Sequence, residues 1–175
     1  MLTIGLFPNI KKQGIGTVLR WMIQYLKEHQ VCIMIPAEHA DQLGYTNLAC
    51  DREQMKEHID LGIVLGGDGT LLSTARDIAP MGIPVCGVNM GRLGFLTEVE
   101  LPNLGNALDR IIKGEYHVEE RLMLDASVVR DGIATYVSSA LNDVVVTKGG
   151  FSRIIRLNLH IDGELTAVYP ADGLI

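Results

Sequence analysis

Leu61-Gly62-Ile63-Val64-Leu65-Gly66-Gly67-Asp68-Gly69-Thr70 carries an apolar run straight into a glycine-lined turn that holds one carboxylate. The run is apolar enough to be a strand covered on both faces, and Leu71-Leu72-Ser73-Thr74-Ala75-Arg76 behind the turn reads as the opening of a helix. Strand, turn and helix start therefore coincide. In that arrangement glycines let a ligand approach the main chain, and the amides of a helix N-terminus favour an anion. Asp68 is out of place there, because a carboxylate repels a phosphate beside it. A metal ion between the two, or a proton for Asp68 to remove, resolves the conflict, and both belong to phosphoryl transfer. The same spacing also suits a plain tight turn, Gly66 to Gly69, with Asp68 capping a helix that starts at Thr70. The turn contains no lysine, so it is not a P-loop, and its glycines are not spaced Gly-x-Gly-x-x-Gly.

Outward from this stretch the chain alternates strand and helix. Residues 2–7, 31–35, 60–65 and 83–88 are expected strands; 17–29, 70–79 and 102–113 are expected helices. The segment 37–58 is polar and reads as a loop with one helix over 53–58. Repeated β-α-β units imply a parallel sheet with right-handed crossovers, whose ligands bind beyond the carboxyl ends of the strands, where Asp68 lies. From Tyr116 onward the period is two, with strands expected over 122–130, 134–146 and 153–161 and hairpin turns at Asp131-Gly132 and Asp162-Gly163. The fold class is thus α/β: a Rossmann-like parallel-sheet domain over 1–115, followed by part of an antiparallel all-β domain over 116–175. The chain stops on Gly173-Leu174-Ile175 with an apolar strand just starting, and it is expected to be cut short.

A chain of 175 residues, 47% hydrophobic and 21% charged, has an ordinary globular composition, and a length that buries roughly 70% of the unfolded surface. Its net charge of -6 and the lack of any basic run longer than Lys11-Lys12 argue against nucleic acid as a partner. Cys32, Cys50 and Cys86 are odd in number and show no C-x-x-C spacing, which points to reduced thiols in a cytoplasmic protein. The longest uncharged run, 78–91, is broken by Pro80 and Pro84, and neither a signal peptide nor a membrane helix is expected. His29, His39, His58, His117 and His160 have no spacing suited to a metal or a catalytic base.

Two further segments carry polar groups into apolar surroundings. Gly87-Val88-Asn89-Met90-Gly91-Arg92-Leu93-Gly94-Phe95-Leu96-Thr97 follows a strand and should lie beside the first glycine turn; close backbone packing alone would also explain its glycines. Asn142-Asp143 interrupts an expected strand, as a bulge would, or as residues that read ribose hydroxyls and an amide or base edge.

Taken together, the segments 66–70, 87–97 and 140–143 and the terminal Ala171-Asp172-Gly173-Leu174-Ile175 resemble the NAD kinase family over nearly the whole chain. The first motif is shared with lipid kinases and, in a related form, with phosphofructokinases; the second separates them. The resemblance implies transfer of the terminal phosphate of ATP, or of polyphosphate, to the 2'-hydroxyl of the adenosine ribose of NAD. A lipid or sugar kinase of the same superfamily and a dinucleotide-binding module without turnover are the rival readings. It also implies roles: Asp68 as proton acceptor; Asp68 and Gly69 touching substrate; Gly66, Gly67, Gly69 and Thr70 as the phosphate loop; Asn142, Asp143 and Asp172 on the dinucleotide; Arg153 near substrate phosphate. A divalent cation, Mg2+ above all, and a homodimer or homotetramer are implied as well, the metal ligands staying unassigned. The chain departs from the family twice: Pro170 stands where many members carry a basic residue, and the Thr-Pro-Thr-Gly-Ser-Thr-Ala-Tyr segment that follows Asp-Gly is missing.

Overall fold

The computed structural model describes residues 1–91, 94–150 and 153–175, so Arg92 and Leu93 of the second glycine segment lie outside the described residues. It divides into two compact units, Met1–Glu120 and Arg121–Ile175.

The first unit strings together β1 (Thr3–Pro8), α1 (Ile15–Glu28), β2 (Cys32–Pro36), α2 (Ala37–Leu43), β3 (Ala49–Cys50), α3 (Arg52–His58), β4 (Leu61–Gly66), α4 (Asp68–Ile78), β5 (Val85–Asn89), β6 (Val99–Glu100) and α5 (Leu104–Lys113). Its strands form one sheet in the order β3-β2-β1-β4-β5-β6, every neighbouring pair parallel. The order reverses between β1 and β4, so crossovers leave the sheet on opposite sides from that point. All six residues of β4 are buried, as its unbroken apolar sequence requires of a strand with both faces covered. Alternate side chains feed two cores. Ile4, Leu6, Ile63 and Leu65 pack with Leu19, Met22 and Leu26 of α1 and Leu108 of α5. Phe7 and Val64 pack on the other face with Met55 of α3 and Leu71 and Ile78 of α4.

Two expectations need correction here. The segment 37–58 holds α2 and β3 as well as α3; α2 was hidden because Ala40 is its one buried residue, and β3 is only two residues long. Helix α4 begins at Asp68, not Thr70, with Gly67 as its N-cap and no side-chain cap bond, which removes the reading of Asp68 as a cap.

The second unit contains β7 (Leu124–Arg130), β8 (Ile133–Ala140), β9 (Val146–Thr147), β10 (Ile155–Ile161), β11 (Glu164–Ala171) and β12 (Gly173–Leu174), paired antiparallel as β7-β8, β10-β11 and β9-β12. Asp131 and Gly132 have φ of 52° and 76°, and Asp162 and Gly163 have 52° and 85°, the doubly positive pattern of tight hairpin turns. The expected strand over 134–146 is in fact two. It breaks after Ala140, and Asn142 and Asp143 lie in the connection rather than inside a strand. The expected strand over 153–161 starts at Ile155, leaving Arg153 before it. Among the described residues no helix is long and apolar enough to cross a membrane.

Candidate functional site

The carboxyl ends of β1 and β4 stand side by side, with Pro8 in register with Leu65. Asn9 extends that contact, its amide donating to the Leu65 carbonyl at 2.8 Å. Its side chain then ties two loops: Nδ2 donates to Thr70 Oγ1 at 3.0 Å, and Oδ1 accepts from the Lys11 amide at 3.1 Å. The Lys12 amide turns back to the Asn9 carbonyl at 3.0 Å. These bonds bend the chain so that Lys12 joins the turn after β4. Asn9, Lys12, Gly67, Asp68, Gly69 and Thr70 line one open cleft of about 510 Å³. The cleft lies at the strand-order reversal, the place where parallel sheets of this kind bind ligands.

The glycines of the turn have separate reasons. At Gly66 a Cβ would come within 2.5 Å of Thr70 Oγ1, so the strand can meet the helix only without a side chain. At Gly67 and Gly69 a Cβ would meet nothing within 4 Å, so what they border is open space on the cleft. Thr70 and Leu71 donate to the Gly67 carbonyl, and Asp68 and Gly69 occupy the first turn, whose amides a helix cannot satisfy internally.

Asp68 is held from the β5 flank of β4, away from β1. The Met90 amide donates to the Gly66 carbonyl at 2.7 Å, joining the ends of β4 and β5. The chain beyond β5 returns to the carboxylate: the Phe95 amide donates to Oδ2 at 2.8 Å, and the Leu96 and Thr97 amides donate to Oδ1 at 3.1 and 3.3 Å. The Thr97 hydroxyl adds a long contact to Oδ1 at 3.5 Å. The Phe95 amide foremost, then those of Leu96 and Thr97, hold the Asp68 carboxyl below the ordinary carboxylate range, outweighing a desolvation effect in the opposite direction. Gly94 lets this happen, since a Cβ there would sit 2.6 Å from Asp68 Oδ2. The half-buried carboxylate is therefore charged and fixed, and it can still accept at Oδ2, whose one donor among the described residues is the Phe95 amide and whose second lone pair is unused.

The predicted residues Gly66, Gly67, Asp68, Gly69 and Thr70 thus come together with the 94–97 segment. Sequence reasoning missed Asn9 and Lys12, whose only local signal is a polar Asn-x-x-Lys directly after a strand. In the second unit Asn142 and Asp143 follow β8, and Arg153 is exposed ahead of β10. Asp172 forms an ion pair with Lys148, Nζ to Oδ1 2.8 Å, while the Lys148 amide donates to the Asp172 carbonyl at 2.8 Å. Lys148 was also missed. Pro170 stands opposite Arg156 in the β10-β11 ladder, which puts a basic side chain across from the position that departs from the family pattern. Among the described residues no group of three or more His, Cys, Asp or Glu side chains is placed to hold a metal ion.

A family model described as the ATP-NAD kinase N-terminal domain matches residues 5–116. The chain is 48% identical over its whole length to the NAD kinase of Heliobacterium modesticaldum, covering 62% of that protein. It is 41% identical to the NAD kinase of Natranaerobius thermophilus, of which it covers 61%. It therefore spans less than two thirds of the curated relatives it matches. A crystal structure of yeast NADH kinase complexed with NADH superposes with a TM-score of 0.84 over 99% of this chain and 56% of that one; at 19% identity the likeness concerns the fold.

Proposed function

The chain belongs to the NAD kinase family, and from that premise we propose that the full-length protein phosphorylates the 2'-hydroxyl of the adenosine ribose of NAD, with ATP or polyphosphate as donor. The observation that carries this reading is Asp68: an ionised carboxylate locked by three backbone amides at the mouth of a cleft that opens on a helix N-terminus. In the reaction the ribose 2'-oxygen bonds to the terminal phosphorus as the bond to the bridging oxygen breaks. ADP or a shortened polyphosphate leaves, and the hydroxyl proton passes to Asp68. Charge in this loose transition state sits on the phosphoryl oxygens, and the proton departs late. A weak base is sufficient for that, and a positioned one contributes about 10²- to 10⁴-fold.

On the same reading Asn142, Asp143 and Arg153 contact the dinucleotide and its phosphates, and Asp172 does so while paired with Lys148. With a single carboxylate in the cleft, the residues fit a divalent cation that arrives on the donor's phosphates rather than one resident in a protein cage. Asp68 is the group that would meet it, and the ion would neutralise phosphate charge. We place the protein in the cytoplasm as a homodimer or homotetramer.

The test is NADP formation by the full-length protein with ATP or polyphosphate and Mg2+, beside an Asp68→Asn variant. Loss of at least about 10²-fold with unchanged circular dichroism supports the role of Asp68; unchanged turnover removes it. Phosphorylation of diacylglycerol or fructose 6-phosphate in place of NAD overturns the substrate, and NAD binding without ADP release overturns the activity.

A further inference from the structure

We propose that Lys12 is a ligand of the donor's terminal phosphates, supplying from the loop after β1 the cation that the turn after β4 lacks. The proposal rests on the phosphotransfer reading above. Lys12 lines the same cleft as Gly67, Asp68, Gly69 and Thr70, although it lies more than fifty positions earlier in the chain. The Asn9 bonds to Leu65, Thr70 and Lys11 anchor the loop that carries it against the phosphate turn. Its ammonium reaches towards the loop after β5, where a Cβ on Gly91 would stand 3.4 Å from Nζ. The half-buried side chain has no carboxylate within ion-pair distance among the described residues. Asp68, the carboxylate nearest in the cleft, is already served by the amides of Phe95, Leu96 and Thr97.

An unpaired ammonium and a helix N-terminus facing one cleft both attract an anion, and they do so from two sides. A chain of phosphates bridges that separation better than a single small anion. An ammonium is a compact point charge on a flexible stem, suited to following the terminal phosphate as its charge redistributes. Lys11, the preceding residue, is exposed and does not line the cleft, which makes it the matched control.

The experiment compares full-length wild type with Lys12→Met, Lys12→Arg and Lys11→Met. In Lys12→Met we expect the KM for ATP to rise about tenfold or more and kcat to fall, with the KM for NAD within about twofold of wild type. Lys12→Arg should recover part of the loss and Lys11→Met should match wild type. An unchanged donor KM and kcat in Lys12→Met overturns the proposal while leaving NAD kinase activity intact. If wild type forms no NADP, the functional reading falls and calorimetric titration with inorganic tripolyphosphate decides for Lys12. Weaker binding in Lys12→Met upholds the lysine as a polyphosphate ligand, and equal binding overturns it.

Discussion

At Asp68 a negative charge is stabilised by N–H dipoles from a neighbouring loop, with no cation in ion-pair contact among the described residues, so both the charge and its position depend on Phe95, Leu96 and Thr97 staying where they are. The lowered pKa fixes the sign of the pH dependence. Stability from this carboxylate is fully present above the unfolded value of about 3.9 and is lost as pH falls through the lower folded value. Urea unfolding should therefore give a wild-type advantage over Asp68→Asn that is constant from neutral pH down to about 5 and shrinks only below about 4. The acid limb of turnover should likewise not be set by Asp68 in the ordinary carboxylate range. Gly94 offers a sharper test. Gly94→Ala pushes a methyl group into the carboxylate, since a Cβ there would crowd both Asp68 oxygens. We expect turnover to drop about 10²-fold, as for an ångström-scale misplacement, with far-UV circular dichroism unchanged. Wild-type turnover in Gly94→Ala would mean that the loop is free to leave Asp68 without consequence.

Elements that bury a continuous apolar face stand on large contributions from single side chains. Leu108 of α5 is fully buried against the β1-β4 face of the sheet, and Leu108→Ala should cost about 2–5 kcal/mol in chemical denaturation, without altering the donor KM. The same property decided what could be read beforehand. β4 is legible because six consecutive buried residues leave no polar alternation, and α5 is legible because Leu104, Leu108 and Ile111 recur on one stripe. α2 has no such stripe, and β3 is held by pairing with Ile35 and Pro36 of β2 rather than by a pattern of its own. The 134–146 segment misled because Val144, Val145 and Val146 are as strand-prone as the residues before Ala140, and no glycine or proline marks the break. Of the site, the turn that carries Asp68 is visible as a local string. Lys12 is not, because its nearness to that turn depends on β1 and β4 being neighbours, which no window of sequence contains.

For the molecule as a whole, the two units have unlike sources of stability. The first encloses two apolar clusters about a six-stranded sheet. The second consists of two-stranded ladders that leave Val129, Ile133, Tyr136 and Val137 at least 60% exposed. A fragment spanning 1–120 should unfold cooperatively on its own, whereas 121–175 alone should give no sigmoidal transition by circular dichroism, since isolated hairpins are marginal in water. The sheet of the first unit also governs which sequence changes this protein can accept. Asn9 and Gly66 each stand one residue beyond a registered pair, Pro8 with Leu65. A single inserted residue within β1 would advance Asn9 and Lys12 by about 3.3 Å and turn the intervening side chains to the wrong face. Substitutions in the cleft can be absorbed one at a time, but a change of length in β1 or β4 moves one wall of the cleft past the other. Natural variation in chain length should therefore collect in the connections away from this end of the sheet, and the two central strands should keep a fixed count of residues.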